Sequence, residues 1–187
     1  WDLVGAPSDP VPLPVEDLPR LDAILAAFAP ADAAWLEPLR LHAVGVPTVW
    51  FTRHRATAAL LRTAWGEGTA WVTGDAAGIG PHRMRRHTVL AAFGPERNSW
   101  QLLRTTPTQL VTTDVAAEGL DLQAAGRLVH VDLPWTATRM AQREGRLLRL
   151  GQQHAEVALV LRLPTPPIEA ELANLVRVAR KGALAAR

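Results

Sequence analysis

The chain has 187 residues, 48% hydrophobic and 20% charged, enough for one domain of ordinary size with a buried core and too apolar to be disordered throughout. It has no cysteine, which excludes disulfide scaffolds, thiol catalysis and cysteine-ligated zinc, and no uninterrupted apolar stretch approaches the roughly 20 residues of a membrane-spanning helix. The net charge is only +2, which allows an anionic partner without requiring one.

Trp1 in place of Met points to a processed chain or a piece of a longer one. Residues 1–19 carry Pro7, Pro10, Pro12, Pro14 and Pro19 and read as a linker or lead-in segment rather than a signal peptide. Leu18, Leu21, Ile24, Leu25 and Phe28 follow helical spacing up to Pro30, and a second helix is expected over about Asp32 to Ala43, with Pro38 an awkward member. Val46 to Thr52 (VPTVWFT) is a β-branched and aromatic run that reads as a buried strand. Ala56 to Trp65 follows as a helix ended by Gly66, and Thr69 to Thr73 as a strand closed by Gly74. Gly78, Gly80 and Pro81 mark a loop, and His82 to Phe93 reads as a helix. Gln109–Thr113, Leu128–Asp132 and Glu156–Leu163 are further strands, and Thr136–Leu150 and Ile168–Lys181 further helices. Short apolar strands alternating with helices predict an α/β fold, a parallel sheet covered by helices on both faces, with chemistry at the loops leaving the carboxyl ends of the strands. Those loops follow Thr52, Thr73, Thr113 and Asp132.

No complete active site is legible. A Gly-x4-Gly-Lys-Ser/Thr phosphate loop is absent, and Lys181 is the only lysine. Gly74, Gly78 and Gly80 lack the third glycine of a dinucleotide fingerprint, leaving either an anion contact or an ordinary turn. The six histidines show no metal-ligand spacing, and neither Ser8 nor Ser99 sits in a nucleophile elbow. Charge is unevenly spread. Residues 1–40 hold seven acidic groups and two Arg, whereas residues 53–104 hold eight Arg and three acidic groups. Arg favours bidentate phosphate contacts, although an Ala- and Arg-rich composition bias gives the same picture.

The informative region is 109–152. The strand ending in Thr112 and Thr113 runs into Asp114, with Gly119 and Asp121 on the loop beyond; alone this is either a polar turn or part of a site. In the helix that follows, Arg139, Gln142, Arg143, Arg146 and Arg149 fall within a third of the circumference at about 100° per residue, beside an apolar arc of Met140, Leu147 and Leu148. Such a row is either a solvated face or a guanidinium array. Gly145 in the interior costs about 1 kcal/mol relative to Ala, which suggests tight packing or close approach to another body.

Taken together the segments resemble a known family. Gln142-Arg143-Glu144-Gly145-Arg146-Leu147-Leu148-Arg149-Leu150-Gly151-Gln152 is similar to motif VI of superfamily-two helicases, in the form typical of Swi/Snf-type helicase-like ATPases and of bacterial members resembling the RNA-polymerase-associated ATPase. Thr113 to Gln123 resembles motif V, and Asp132-Leu133-Pro134-Trp135 the segment between. Val49 to Thr52 resembles motif IV, and Val72-Thr73-Gly74 with the Arg-rich helix to Phe93 resembles motif IVa. The likeness covers about residues 46–163. It departs from the family pattern at Thr136-Ala137 and over Pro95–Pro107.

The resemblance implies a RecA-like C-terminal lobe over residues 20–187, one half of a cytoplasmic, ATP- and Mg²⁺-dependent translocase whose N-terminal RecA-like lobe carries the phosphate loop. Arg146 and Arg149 would be the catalytic arginine fingers. Gln142, Gly119 and Asp121 would lie at the nucleotide, and Thr52, Arg53, Gly74 and Thr113 along the nucleic-acid backbone, with duplex DNA the expected partner. No residue is expected to hold a metal ion. The other reading is a catalytically silent module that binds nucleic acid or a protein on the same fold.

Overall fold

Thr48–Thr52 (TVWFT) forms strand β1 with all five residues buried. Successive side chains on a strand point to opposite faces, so both faces of the sheet are covered here, as the unbroken apolar run requires. The structure is a computed structural model and describes residues 33–93, 106–114, 119–120, 122–134 and 136–163. The expected linker over 1–19, the helix from Leu18 to Phe28, most of Pro95–Pro107, Asp121, Trp135 and the helix Ile168–Lys181 lie outside the described residues.

The chain divides into two compact units, Trp1–Glu37 and Pro38–Arg187. In the first, a 3-10 turn covers Ala33–Leu36. Helix α1 (Glu37–Arg40) follows. Pro38 lies in its first turn, where a missing N–H costs nothing.

The second unit is built on a seven-stranded sheet in the order β4-β3-β2-β5-β1-β6-β7. β5 (Gln109–Thr113) and β6 (Arg127–His130) flank β1, all parallel. β2 (Ala70–Val72) runs parallel to β5, and β7 (Ala158–Leu161) parallel to β6. Helix α2 (Arg55–Trp65) crosses from β1 to β2, α3 (Arg86–Phe93) leads towards β5, and α4 (Ala137–Glu144) follows β6. The core gathers Val49, Phe51, Val72, Val89, Phe93, Leu110, Leu128 and Leu147, each at most 1% exposed. Among the described residues no helix is long and apolar enough to cross a membrane.

Three expectations are corrected. The sheet is not wholly parallel: β3 (Ala77–Ile79) pairs antiparallel with β2, and β4 (His82–Met84) with β3. The expected loop at Gly78–Pro81 is therefore a hairpin, and the expected helix from His82 begins only at Arg86. Local chemistry explains it. Gly80 has φ +53°, and Trp71 Nε1 donates to its carbonyl at 3.0 Å. A Cβ on Gly78 would collide with the His82 carbonyl and the Trp71 ring. Second, α4 stops at Glu144, six residues short of Leu150. Gly145 is its C-cap rather than an interior residue, and Leu147 and Leu148 N–H groups both turn back onto the Glu144 carbonyl at 2.9 Å. Third, Arg143 is not on a solvated face: it is 3% exposed.

Candidate functional site

The carboxyl ends of β1, β5 and β6 meet at Arg143. Its Nε donates to Asp114 Oδ1 at 2.6 Å and its Nη2 to Asp114 Oδ2 at 2.9 Å, a bidentate pair. Nη2 also reaches Asp132 Oδ1 at 3.3 Å, and Nη1 donates to the Asp132 carbonyl at 3.1 Å. The second Nη1 proton faces His130 Nδ1 at 3.3 Å. A guanidinium has five N–H donors, and all five are engaged. The Phe51 ring lies under the group at 5.4 Å. Asp132 in turn binds β1: Oδ2 accepts from Thr52 Oγ1 at 2.5 Å and from the Arg53 backbone N–H at 2.8 Å. One arginine of α4 thus ties together the loop ends of three neighbouring strands.

His130 is fully buried. Burial, with the Arg143 charge beside it, lowers its pKa from 6.5 to about 4, so it is neutral at pH 7. Since Nδ1 faces a donor, the proton is assigned to Nε2, which lies 3.3 Å from Glu144 Oε1 but off the line of a hydrogen bond, leaving that nitrogen without a hydrogen-bond partner. Burial raises the pKa of Glu144. Between about pH 6.5 and pH 4 the unfolded chain takes up a proton on this imidazole that the folded chain refuses. Stability is therefore expected to fall as pH drops through that window, by up to about 3 kcal/mol from this group. Urea unfolding of the wild type and of His130→Gln at pH 7 and pH 5 measures it. An equal loss in both proteins would remove His130 as the source.

The structure sorts the expected site residues into two groups. Arg53, Gly74 and Thr113 line one cavity of about 390 Å³ at the strand ends, with Arg55, Asp114 and Arg139. Arg139 is exposed and lies 4.0 Å from Asp114. Thr52 is drawn to the same end of the sheet but is 0% exposed, its hydroxyl donating to Asp132 and accepting from the His54 N–H at 3.2 Å. Through these bonds Thr52 positions the Asp132 carboxylate at the strand ends, where the expected nucleic-acid side of the lobe lies.

None of Gln142, Arg146, Arg149 or Gly119 lines that cavity. Gln142 is exposed on α4, and Gly119 is exposed with φ +75°. Arg146 is half-buried and Arg149 exposed, both on the turns after α4 rather than on its face. Arg149 Nε donates to the Gly145 carbonyl at 2.9 Å, so its Nη groups remain uncommitted among the described residues. Gln152 is internal: its Nε2 bridges the Leu147 and Ala125 carbonyls at 3.0 and 3.3 Å. Gln123 Nε2 holds the Leu150 carbonyl at 2.7 Å, beside Gly151 at φ +97°. Sequence reasoning missed the group formed by Arg143, Asp114, His130 and Glu144. Its one available signal was the position of Arg143 at the margin of the polar row, about 40° from Leu147 at 100° per residue. Among the described residues no group of three or more His, Asp or Glu side chains is placed to hold a metal ion.

Residues 86–151, from α3 to the turns beyond α4, match the family model described as the helicase conserved C-terminal domain. An uncharacterized ATP-dependent helicase, YqhH of Bacillus subtilis (strain 168), is 43% identical over 44 residues, 24% of this chain and 8% of the relative. The DEAD-box ATP-dependent RNA helicase CshC of Bacillus cereus is 34% identical over 68 residues, 36% of this chain and 16% of the relative. Among solved structures, the C-terminal part of the Fun30 ATPase domain is similar in fold, with a TM-score of 0.58 at 12% identity over 86% of this chain and 52% of that one. Over residues 86–151 the chain is thus similar to the helicase conserved C-terminal domain, and its fold is that of a RecA-like helicase C-terminal lobe. The matched stretches span less than a fifth of either curated relative's length.

Proposed function

We propose that this chain is the second RecA-like lobe of a two-lobe, superfamily-two helicase-like ATPase of the Swi/Snf type, a motor that moves along nucleic acid. ATP, with its magnesium ion, is held by the other lobe. Arg146 and Arg149 reach the γ-phosphoryl across the cleft, with Gln142, Gly119 and Asp121 beside the nucleotide. The strand-end cavity meets the phosphodiester backbone through Arg53, Gly74 and Thr113. The single observation that carries this reading is the division of labour among the arginines after His130. Arg143 spends all five donors inside the domain, whereas Arg146 and the Nη groups of Arg149 have no partner among the described residues. Phosphoryl transfer requires such uncommitted guanidinium groups, because catalysis there is positioning plus neutralisation of charge on the transferring group. Contacts to phosphate hold the chain on any sequence, as a motor needs.

Duplex DNA is the proposed track, and RNA is the other arm of the test, since the Bacillus cereus relative is an RNA helicase. The 187-residue chain is expected to bind labelled duplex without sequence preference, with log K falling by about 0.9 per phosphate neutralised as log salt rises. It should hydrolyse no ATP by itself. Fluorescence anisotropy at two ionic strengths, on duplex DNA and on RNA of two unrelated sequences, checks the first. A coupled phosphate-release assay checks the second. Salt-insensitive binding, or robust turnover by the chain alone, would refute the half-motor reading.

A further inference from the structure

The β3–β4 hairpin stands outside the parallel part of the sheet, and it does more than close an edge. Between it and α2 lies a second concavity of about 440 Å³. Three arginines from two elements converge on it: Arg55 and Arg62 from α2, and Arg83 from β4. Arg55 and Arg62 are seven residues apart, about 10.5 Å along a helix rising 1.5 Å per residue. The Arg62 guanidinium is stacked over the Trp71 ring at 4.7 Å, which holds it in place before any ligand arrives. Asp75 is the single carboxylate in the lining, and it is already paired with Arg55.

Charged residues on an edge strand also deter pairing with another chain, and Arg83 serves that purpose on β4. Edge protection alone does not place Arg83 opposite two helix arginines across a hollow. It does not explain the Trp71 platform beneath Arg62 either. This concavity also shares Arg55 and Asp75 with the strand-end cavity lined by Arg53, Gly74 and Thr113, so the two form one continuous surface.

We propose that the hollow between α2 and the β3–β4 hairpin is a second phosphate-binding segment, which extends the nucleic-acid path beyond the strand ends through Arg55, Arg62 and Arg83. The inference rests on the proposed nucleic-acid track and adds its length and direction: from β1 and β5 outward over β2 to the hairpin edge. Arg62 and Arg83 contact backbone phosphates, and Pro81 and the Arg-covered Trp71 ring form the apolar floor between them.

The test uses the 187-residue chain, with Arg83→Ala and Arg62→Ala, on single-stranded and duplex probes of two lengths, about 6 and about 20 nucleotides, chosen to bracket usual site sizes. The wild type should bind the long probe more tightly than the short one. Each variant should lose most of that length-dependent gain, about 3- to 10-fold in Kd at low salt, and its salt slope should drop by about 0.7 on single strands or 0.9 on duplex, the value of one lost phosphate contact. Arg83→Lys should restore part of the affinity, since it keeps the charge and loses the fork. Arg83 is exposed, so its variants should melt with the wild type; the Arg62 variant is read beside its own melt because it also gives up the Trp71 stack. If the wild type binds the long probe and both variants match it in affinity and slope, the extension is wrong and the nucleic-acid reading stands. If the wild type binds no probe, the nucleic-acid reading fails and the extension with it.

Discussion

Replacing Arg143 with alanine is expected to lower stability by about 3–5 kcal/mol, the range for breaking a buried ion pair from one side. The reason lies in what is left behind. Asp114 would lose both its bidentate partners, and the Asp132 carboxylate and carbonyl two more donors. Two carboxylates drawn together at the strand ends would then face one another with no cation between them, and the buried His130 Nδ1 would have no donor. Arg143→Lys retains one positive charge but cannot span Asp114, Asp132 and His130 at once, so it should fall between alanine and wild type. Arg149→Ala supplies the contrast: an exposed side chain with one backbone contact should change stability by no more than about 0.5 kcal/mol. Urea unfolding at pH 7 measures all three. A loss below about 1 kcal/mol for Arg143→Ala would show that the interior of the site is held by packing alone.

That arginine also marks where sequence reading succeeds and where it stops. β5 is legible residue for residue because three of the five residues in Gln109–Thr113 are β-branched and the run is bounded by polar turns. β1 loses only Val46 and Pro47 from its expected span. The hairpin is illegible for the opposite reason. Ala77-Gly78-Ile79 is too short to show a period, and the basic run after it matches a helix face as well as an edge strand. The packing of Gly78 under the Trp71 ring decides it, and that contact is not local in sequence. The end of α4 is partly legible, since glycine is a weak helix former. What the spacing could not supply is the internal use of Gln152 and Gln123, whose amides hold the chain turned back at Leu147 and Leu150. Arg143 is the hardest case. Its position on the helix assigns it to the polar row, and only the convergence of Asp114 and Asp132 from separate strands turns it inward.

The network has a consequence for motion. Asp132 accepts from Thr52 and from the backbone of Arg53, and Arg53 lines the strand-end cavity. Through Arg143 the same carboxylate is fixed to α4, the helix that leads into Arg146 and Arg149. A displacement at the strand-end cavity is therefore expected to reach the turns that carry Arg146 and Arg149 through this hydrogen-bonded chain, rather than through the ends of exposed side chains. Arg143 is in this sense a positioning residue: it touches neither proposed ligand.

Arg146→Ala and Arg149→Ala, made in the proposed two-lobe parent, should each lower kcat for ATP hydrolysis by about 10² or more, against the 10³–10⁵ that an arginine finger contributes. A hundredfold loss corresponds to about 2.7 kcal/mol of transition-state stabilisation. KM for ATP should move much less, since most ground-state contacts belong to the lobe holding the triphosphate and the fingers arrive only when the cleft closes. The two variants should not be equal in stability. Arg149 is exposed, whereas Arg146 is half-buried on the turn beside the fully buried Leu147, so any cost to the fold should appear at Arg146. Arg139 is no neutral control, because it lines the strand-end cavity beside Asp114; its loss should raise the nucleic-acid concentration needed for stimulation. Glu156, exposed and lining neither cavity, supplies the control for a lost surface charge, and Glu156→Ala should hydrolyse ATP like the parent. Steady-state assays at saturating nucleic acid, read beside thermal melts, separate the outcomes. Parental kcat in both arginine variants would mean that the uncommitted guanidinium groups are solvated surface, and that the nucleotide is met by other residues of the lobe.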